Sequence, residues 1–409
     1  MANRAAYNHF IKKQACLFRC LFWCSVYATG QEQFVPQPAK LLTRFFFTQL
    51  TGGIILVNAR LDDKKDSLTF VFDTGCGGIS IDSTTAALLQ LKQQPTSKLI
   101  RGIAGVKEVS FANNHCLHLP GLDVDTLNFH INNYELLTSV YGIKIDGIIG
   151  YSFLKRYIVK IDYDLQMIEV YSPGVFKYPR GGYLLNPDFS QLAMQQLSIA
   201  DNRQVVSHFI FDTGAGLCML LSQDFVTDSL LLKKKRKRYP TEAEGLGGKK
   251  PMDLSVVKQV HLGPYRFKNV PVYIFTDDFN VTAYPILGGV IGNDLLRRFN
   301  VVLNYQEASI YIKPNKHYLD SFDYAYTGLG IYEIGNAVTV VDIMPGSPAE
   351  KAGFITGDII LGVDKVLFKN IQLVKLAFQN ASAAVNVIVS RDNDLIVLKL
   401  KIKNILDRR

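Results

Sequence analysis

The chain has 409 residues, 48% hydrophobic and 20% charged, with a formal net charge of +9. That balance is ordinary for globular domains, so it excludes a mostly disordered or collagen-like chain, and the length allows two to four domains with cores of their own. No uninterrupted apolar run reaches the ~20 residues that span a bilayer, and the excess charge sits in two segments rather than over a nucleic-acid surface.

The first of those segments is the N-terminus. Residues 1–30 carry Arg4, Lys12, Lys13 and Arg19 and no acidic residue, followed by the apolar stretch Cys20-Leu-Phe-Trp-Cys-Ser-Val-Tyr-Ala28 and small residues up to Gly30. A basic start, a short apolar core and a small-residue end read as a secretory signal peptide over 1–30. A secreted or periplasmic protein is therefore expected, with a buried N-terminal helix as the alternative. Cys16, Cys20 and Cys24 fall inside this segment, leaving Cys76, Cys116 and Cys218 without the spacing of a disulfide framework.

From residue 41, short β-branched and aromatic runs separated by Gly, Asn, Asp and Pro predict strands, for example Ile54-Ile-Leu-Val57. The run Thr69-Phe-Val-Phe72 ends in Asp73-Thr74-Gly75, and brief helices are predicted over 84–91 and 152–157. Then comes Asp146-Gly-Ile-Ile-Gly-Tyr-Ser-Phe-Leu-Lys-Arg-Tyr157, leading into the strands Ile158-Val-Lys-Ile-Asp-Tyr163 and Met167-Ile-Glu-Val-Tyr171. Residues 173–187, with Pro179 and Gly181-Gly182, read as a linker.

The pattern then repeats. His208-Phe-Ile-Phe211 ends in Asp212-Thr213-Gly214, and Gly288-Gly-Val-Ile-Gly-Asn-Asp-Leu-Leu-Arg-Arg-Phe299 leads into Val301-Val-Leu-Asn-Tyr305 and Ser309-Ile-Tyr-Ile312. The two Asp-Thr-Gly copies lie 139 residues apart; Gly147 follows Asp73 by 74 residues and Gly289 follows Asp212 by 77. Matching blocks at matching offsets mark an internal duplication. They predict two mainly β lobes, residues 41–173 and 182–315. Inside the second, Lys233-Lys-Lys-Arg-Lys-Arg238 forms the other basic segment. Such a block is a solvated loop, with contact to an anionic membrane surface as the alternative. No nucleic-acid partner is expected.

A third unit covers 322–404. It holds Gly328-Leu329-Gly330-Ile331, the strand Val338-Thr-Val-Val-Asp-Ile343, Pro345-Gly-Ser-Pro-Ala-Glu-Lys-Ala-Gly353, Gly357-Asp-Ile-Ile360, a helix near 373–380 and closing strands over 385–390 and 395–402.

Two carboxylates placed within hydrogen-bond reach cannot both ionise easily, so they share a proton and titrate as a pair. One then acts as general base on a water while the protonated partner donates to a carbonyl. Glycine permits the sharp turn after each aspartate, and each threonine hydroxyl can bond across to the other loop. With these residues in place, 41–315 resembles the aspartic peptidases, both pepsin-like and retroviral. The resemblance implies Asp73 and Asp212 as the catalytic dyad, supported by Thr74, Gly75, Thr213 and Gly214. It also implies acid-protease β-barrel lobes related by pseudo-symmetry, with Ile148-Ile149-Gly150 and Val290-Ile291-Gly292 beside the aspartate loops. Both lobes lie on one chain, so a monomer acting on peptide or protein substrates is expected. Pepsin-like members carry Ser or Thr after the glycine, whereas Cys76 and Ala215 stand here. Losing a hydroxyl donor raises a carboxylate's pKa, which predicts a pH optimum less acidic than pepsin's.

The third unit resembles a PDZ domain (α+β). The resemblance implies that Gly328, Leu329, Gly330 and Ile331 bind the carboxylate of a peptide C-terminus, and that Ile371 or Leu373 favours an apolar ligand residue. A PDZ-like module that only packs against the lobes is the alternative. The whole combination resembles bacterial envelope proteins. The Gly-rich stretches 101–106 and 245–248 are candidate substrate flaps, with plain exposed turns as the alternative, and neither contains a tyrosine. No cofactor fingerprint is present, and no metal site is expected at His115, Cys116 and His118, because a strand would turn the two histidines to opposite faces. The rival to an enzyme is an inactive, PDZ-bearing peptide-binding envelope protein; both aspartates being intact argues against it.

Overall fold

In a computed structural model, the structure describes residues 37–245, 247–380 and 383–406. The segment read as a signal peptide lies outside the described residues. The chain divides into two compact units. In the small one, Pro38 and Val175 form an isolated parallel bridge, and Val175 N–H donates to Gln37 O at 2.9 Å. All that follows concerns the large unit, residues 39–173 and 177–406.

It is mainly β, and the duplication is visible strand by strand. The first lobe is an eight-stranded sheet in the order Thr48–Gln49, Ile55–Leu61, Leu68–Phe72, Gly147–Ile149, Ile79–Asp82, Leu122–Asn132, Gly105–Leu119, Gln93–Gly102. The second repeats that order with Asp188–Phe189, Ala193–Ala200, Gln204–Phe211, Leu287–Ile291, Met219–Ser222, Tyr265–Phe275, Gly248–Leu262 and Tyr239–Gly245. Each sheet curls back on itself through one extra pairing, Ile55–Leu61 with Gly105–Leu119 and Ala193–Ala200 with Gly248–Leu262.

Beneath both lies a shared six-stranded sheet. Its order is Leu41–Phe46, Met167–Tyr171, Ile158–Asp162, Phe299–Asn304, Ser309–Pro314, Tyr183–Leu185. The middle pair joins the lobes antiparallel, Ile158 opposite Asn304 and Ile161 opposite Val301. Strands from the first lobe lie on one side of that junction, and their counterparts from the second on the other. The apolar runs of the sequence supply the core that crosses this boundary. Phe70, Phe72, Phe153, Phe209, Phe211 and Phe299 are all buried within it, each contributing about 2–3 kcal/mol of burial.

The C-terminal unit has its own core, built on Ile331, Val340, Ile360, Val374, Val387 and Leu400. Its sheet runs Leu329–Ile334, Ala337–Ile343, Ile359–Val363, Ala384–Arg391, Asp394–Lys401, with Val366–Leu367 beside the third strand. The short helix Pro348–Ala352 starts where the sequence dictates: Ser347 caps it by accepting Glu350 N–H, Pro348 needs no N–H partner, and Gly353 ends it at φ +84°. The longer helix is Ile371–Phe378. Between the second lobe and the C-terminal unit, Arg298 is fully buried. Its guanidinium donates to the carbonyls of His317 (3.3 Å), Asp320 (2.5 Å) and Ser321 (3.2 Å) and stacks 4.0 Å from the Phe322 ring.

Candidate active site

Each aspartate emerges from the end of a strand that is clamped by a parallel neighbour. Phe70–Phe72 pair with Gly147–Ile149, and Asp73 N–H donates to Ile149 O at 2.9 Å. Phe209–Phe211 pair with Gly289–Ile291, and Asp212 N–H donates to Ile291 O at 3.0 Å. The apolar-apolar-Gly segments thus fix the backbone at the two reacting groups.

The loops also grip each other. Thr74 Oγ1 donates to Phe211 O at 2.6 Å and accepts Thr213 N–H at 2.9 Å. Thr213 Oγ1 donates to Phe72 O at 3.0 Å and accepts Thr74 N–H at 3.1 Å. Both threonines are buried, so these four bonds are made away from water. Gly75 N–H bonds Asp73 Oδ1 at 2.7 Å, and Gly214 N–H bonds Asp212 Oδ1 at 2.7 Å. The glycines also let the carboxylates meet: a Cβ on Gly75 would fall 2.4 Å from Asp212 Cγ, and one on Gly214 2.3 Å from Asp73 Cγ.

Asp73 and Asp212 are half-buried and hydrogen-bonded to each other. Burial, and then the charge of Asp212, pushes Asp73 well above the usual carboxylate range. Burial raises Asp212 as well, but hydrogen bonds from Asp73 and from the N–H groups of Gly214, Ala215 and Gly75 hold it down. Both carboxyls are raised, Asp73 the more strongly, so the two share one proton and titrate as a pair. Burial and the neighbouring Asp73 push the Cys76 thiol up to about 12, so it stays protonated and inert.

Both glycine-rich stretches are hairpin tips. Gly102 pairs with Gly105 and Gly245 with Gly248. They meet across the lobes: a Cβ on Gly247 would fall 2.3 Å from Gly105 N, and one on Gly245 2.7 Å from Ile103 Cγ1. Two hairpins, one from each lobe, touch at their tips.

Residues 57–153 and 196–295 match the aspartyl protease family model, and 339–391 match the PDZ domain model. The chain carries an aspartyl protease domain in two segments and a C-terminal PDZ domain. No curated protein matches it.

The protease site includes tyrosines that the sequence did not single out. Burial and the charges of Asp73, Glu244 and Asp212 raise Tyr141. Burial and the charges of Asp73 and Asp212 likewise raise Tyr305, whose buried hydroxyl has no partner among the described residues. Nothing in the local sequence marks either one.

Other predicted residues stand apart from the dyad. In the PDZ domain, Gly328 takes φ +75° against Ser347, and its carbonyl accepts Met344 N–H at 2.8 Å. Leu329 N–H donates to Thr327 Oγ1 at 3.2 Å, while Gly330 and Ile331 continue into the sheet's edge strand. Ile371 is buried and Leu373 is exposed, so only the first faces protein. His115 pairs with Asp62 at 2.6 Å and His118 with Asp123 at 2.7 Å, two separate carboxylates. Most of the basic run is exposed, and it is anchored at a few points. Arg236 pairs with the buried carboxylate of Asp201, which also accepts Lys233 N–H at 2.9 Å, and Arg238 donates to Gln223 Oε1 at 2.7 Å.

Proposed function

We propose that this protein is an aspartic endopeptidase that activates a water between Asp73 and Asp212, with its PDZ domain recognising peptide or protein C-termini. The observation that carries the reading is the pair of raised carboxylates on loops that hold each other's backbone. Asp212 takes a proton from the water, whose oxygen bonds the scissile carbonyl carbon, and Asp73 gives its proton to the carbonyl oxygen. Collapse of the resulting diol breaks the C–N bond. One hydroxyl proton returns to Asp73, and the leaving nitrogen takes the proton that Asp212 took from the water, releasing acid and amine and restoring the singly protonated dyad. The touching hairpins favour an extended peptide as substrate, enclosed beneath their tips. The basic-then-apolar N-terminus supports a secreted or periplasmic setting, and the basic run 233–238 is the candidate for membrane-surface contact.

The test is hydrolysis of a quenched-fluorescence peptide library by the full chain, with pepstatin sensitivity and the variants Asp73→Asn and Asp212→Asn. Each variant should lose on the order of 10²–10⁴-fold in kcat. Wild type and both variants behaving alike would leave the peptide-binding protein as the reading.

A further inference from the structure

The PDZ sheet ends on the strand Leu329–Ile334, which among the described residues pairs on one side only, with Ala337–Ile343. The helix Ile371–Phe378 packs beside it. A PDZ domain takes its peptide as a strand added to such a sheet edge. In this chain the place is filled from within. The first lobe's helix Glu135–Tyr141 packs against both the edge strand and the PDZ helix.

A helix leaves its last carbonyls without partners of its own. Here PDZ side chains supply them: Lys375 Nζ donates to Val140 O at 2.8 Å, and Gln372 Nε2 to Tyr141 O at 2.9 Å. The amide of Gln372 is used on both sides, since its Oε1 accepts the Thr51 N–H at 3.1 Å and the Thr51 hydroxyl at 2.9 Å. Lys375 stands where a cation suits a helix terminus. Past the helix end, Gly142 at φ +68° comes so close that a Cβ would fall 2.3 Å from Glu333 Oε2 and 2.6 Å from Ile371 Cγ2. Glu333 belongs to the edge strand, and the same oxygen accepts Ile371 N–H at 2.9 Å. Residue 142 is thus wedged where strand and helix are laced together.

We infer that the peptide groove of the PDZ domain is closed by the protein's own first-lobe helix, so that a peptide C-terminus must compete with that helix. The helix has a second face. Tyr141 packs against the cluster of Leu50, Ile54 and Val71, and Val71 lies on the strand Leu68–Phe72 that leads directly into Asp73. Gln372 and Lys375 are therefore positioning residues for a wall of the protease site. That coupling rests on the peptidase reading; the occupancy of the groove does not.

Binding is measured on the full chain carrying Asp73→Asn, which spares the probe, a fluorescein-labelled decapeptide ending in Ile-Val-carboxylate. Gly142→Val unseats the helix with every PDZ residue intact, and Lys375→Met releases it from the other side. Each should tighten probe binding at least tenfold, because the competent state becomes the populated one. Circular dichroism and melting identify which variants are folded, and if Gly142→Val is not, Lys375→Met carries the comparison. Binding by the parent as tight as by a folded variant overturns the inference. In the active chain, saturating probe should raise KM for a cleaved peptide several-fold with the pH profile unchanged; an unmoved KM overturns the coupling. If no peptide is cleaved, the peptidase reading fails while the binding comparison still decides what fills the groove.

Discussion

Thr74→Val is the sharpest probe of the grip between the catalytic loops. It replaces a hydroxyl by a methyl and keeps the β-branched shape, so packing is conserved. Two bonds vanish, the one donated to Phe211 O at 2.6 Å and the one accepted from Thr213 N–H at 2.9 Å. Both backbone partners stay buried, and an orphaned buried group costs about 1–3 kcal/mol. The two together predict a loss of roughly 2–6 kcal/mol. Thr213→Val breaks the symmetric pair, but its bonds are 3.0 and 3.1 Å long, so its loss should be the smaller. Each threonine's N–H bonds the other's hydroxyl, so the two belong to one network and the double variant should depart from additivity by about 0.5–3 kcal/mol. Thermal melting gives the stability, at about 2–4 °C per kcal/mol for units of this size. Kinetics give the rest: loosening Asp73 against Asp212 by about 1 Å costs on the order of 10²-fold in kcat. Thr74→Ser, which restores the hydroxyl, should recover most of both. A Thr74→Val protein that melts within a degree of wild type and turns over normally would show that the grip holds nothing.

Three further outcomes follow from the dyad. Asp73 binds its proton more tightly in the fold than in the unfolded chain. Its contribution is therefore complete below the ordinary carboxylate range and lost as pH rises through the raised value, at up to about 1.4 kcal/mol per pH unit. Asp73→Asn should erase that slope and melt higher than wild type at pH 7 but not at pH 3; a lower melting temperature at pH 7 contradicts the sign. Gly75→Ala places a Cβ 2.4 Å from Asp212 Cγ, so kcat should fall about a hundredfold or more with the fold retained, and unchanged kcat would mean the carboxylates need not touch. Cys76, with its thiol pushed up to about 12, should resist iodoacetamide at pH 8 in native-state mass spectrometry. Cys76→Ser, by adding a donor beside Asp73, should move the acid limb of kcat/KM to lower pH.

The dyad and its braces were legible because everything they need is contiguous: an apolar strand, Asp-Thr-Gly, and an apolar-apolar-Gly partner, each written twice. Strand-by-strand duplication followed from the same repeats, as did the PDZ domain from its glycines and Ser347-Pro348. The flaps were only half legible. Gly102-Ile103-Ala104-Gly105 and Gly247-Gly248 mark turns, but that the tips meet is a property of two lobes facing each other. Gln372 and Lys375 were invisible for a plainer reason. Their partners Tyr141 and Val140 lie 231 and 235 residues away, and a polar pair on a helix reads simply as a solvated face. The basic run is mostly exposed, as a solvated loop should be, but the carboxylate that holds Arg236 is Asp201, 35 residues away on another turn, and nothing local marked it.

Arg298 has a mechanical consequence. By holding the linker carbonyls of His317, Asp320 and Ser321 and the ring of Phe322, it turns the connection to the PDZ domain into a strut anchored on the second lobe. Tyr326, whose hydroxyl bonds Pro240 O at 2.7 Å, adds a second rivet to that lobe. The groove helix, by contrast, grips the first lobe. The PDZ domain is thus a crossbar bolted to one half of the protease and hooked on the other, and any rocking of the halves about their shared sheet becomes a sliding strain at that hook.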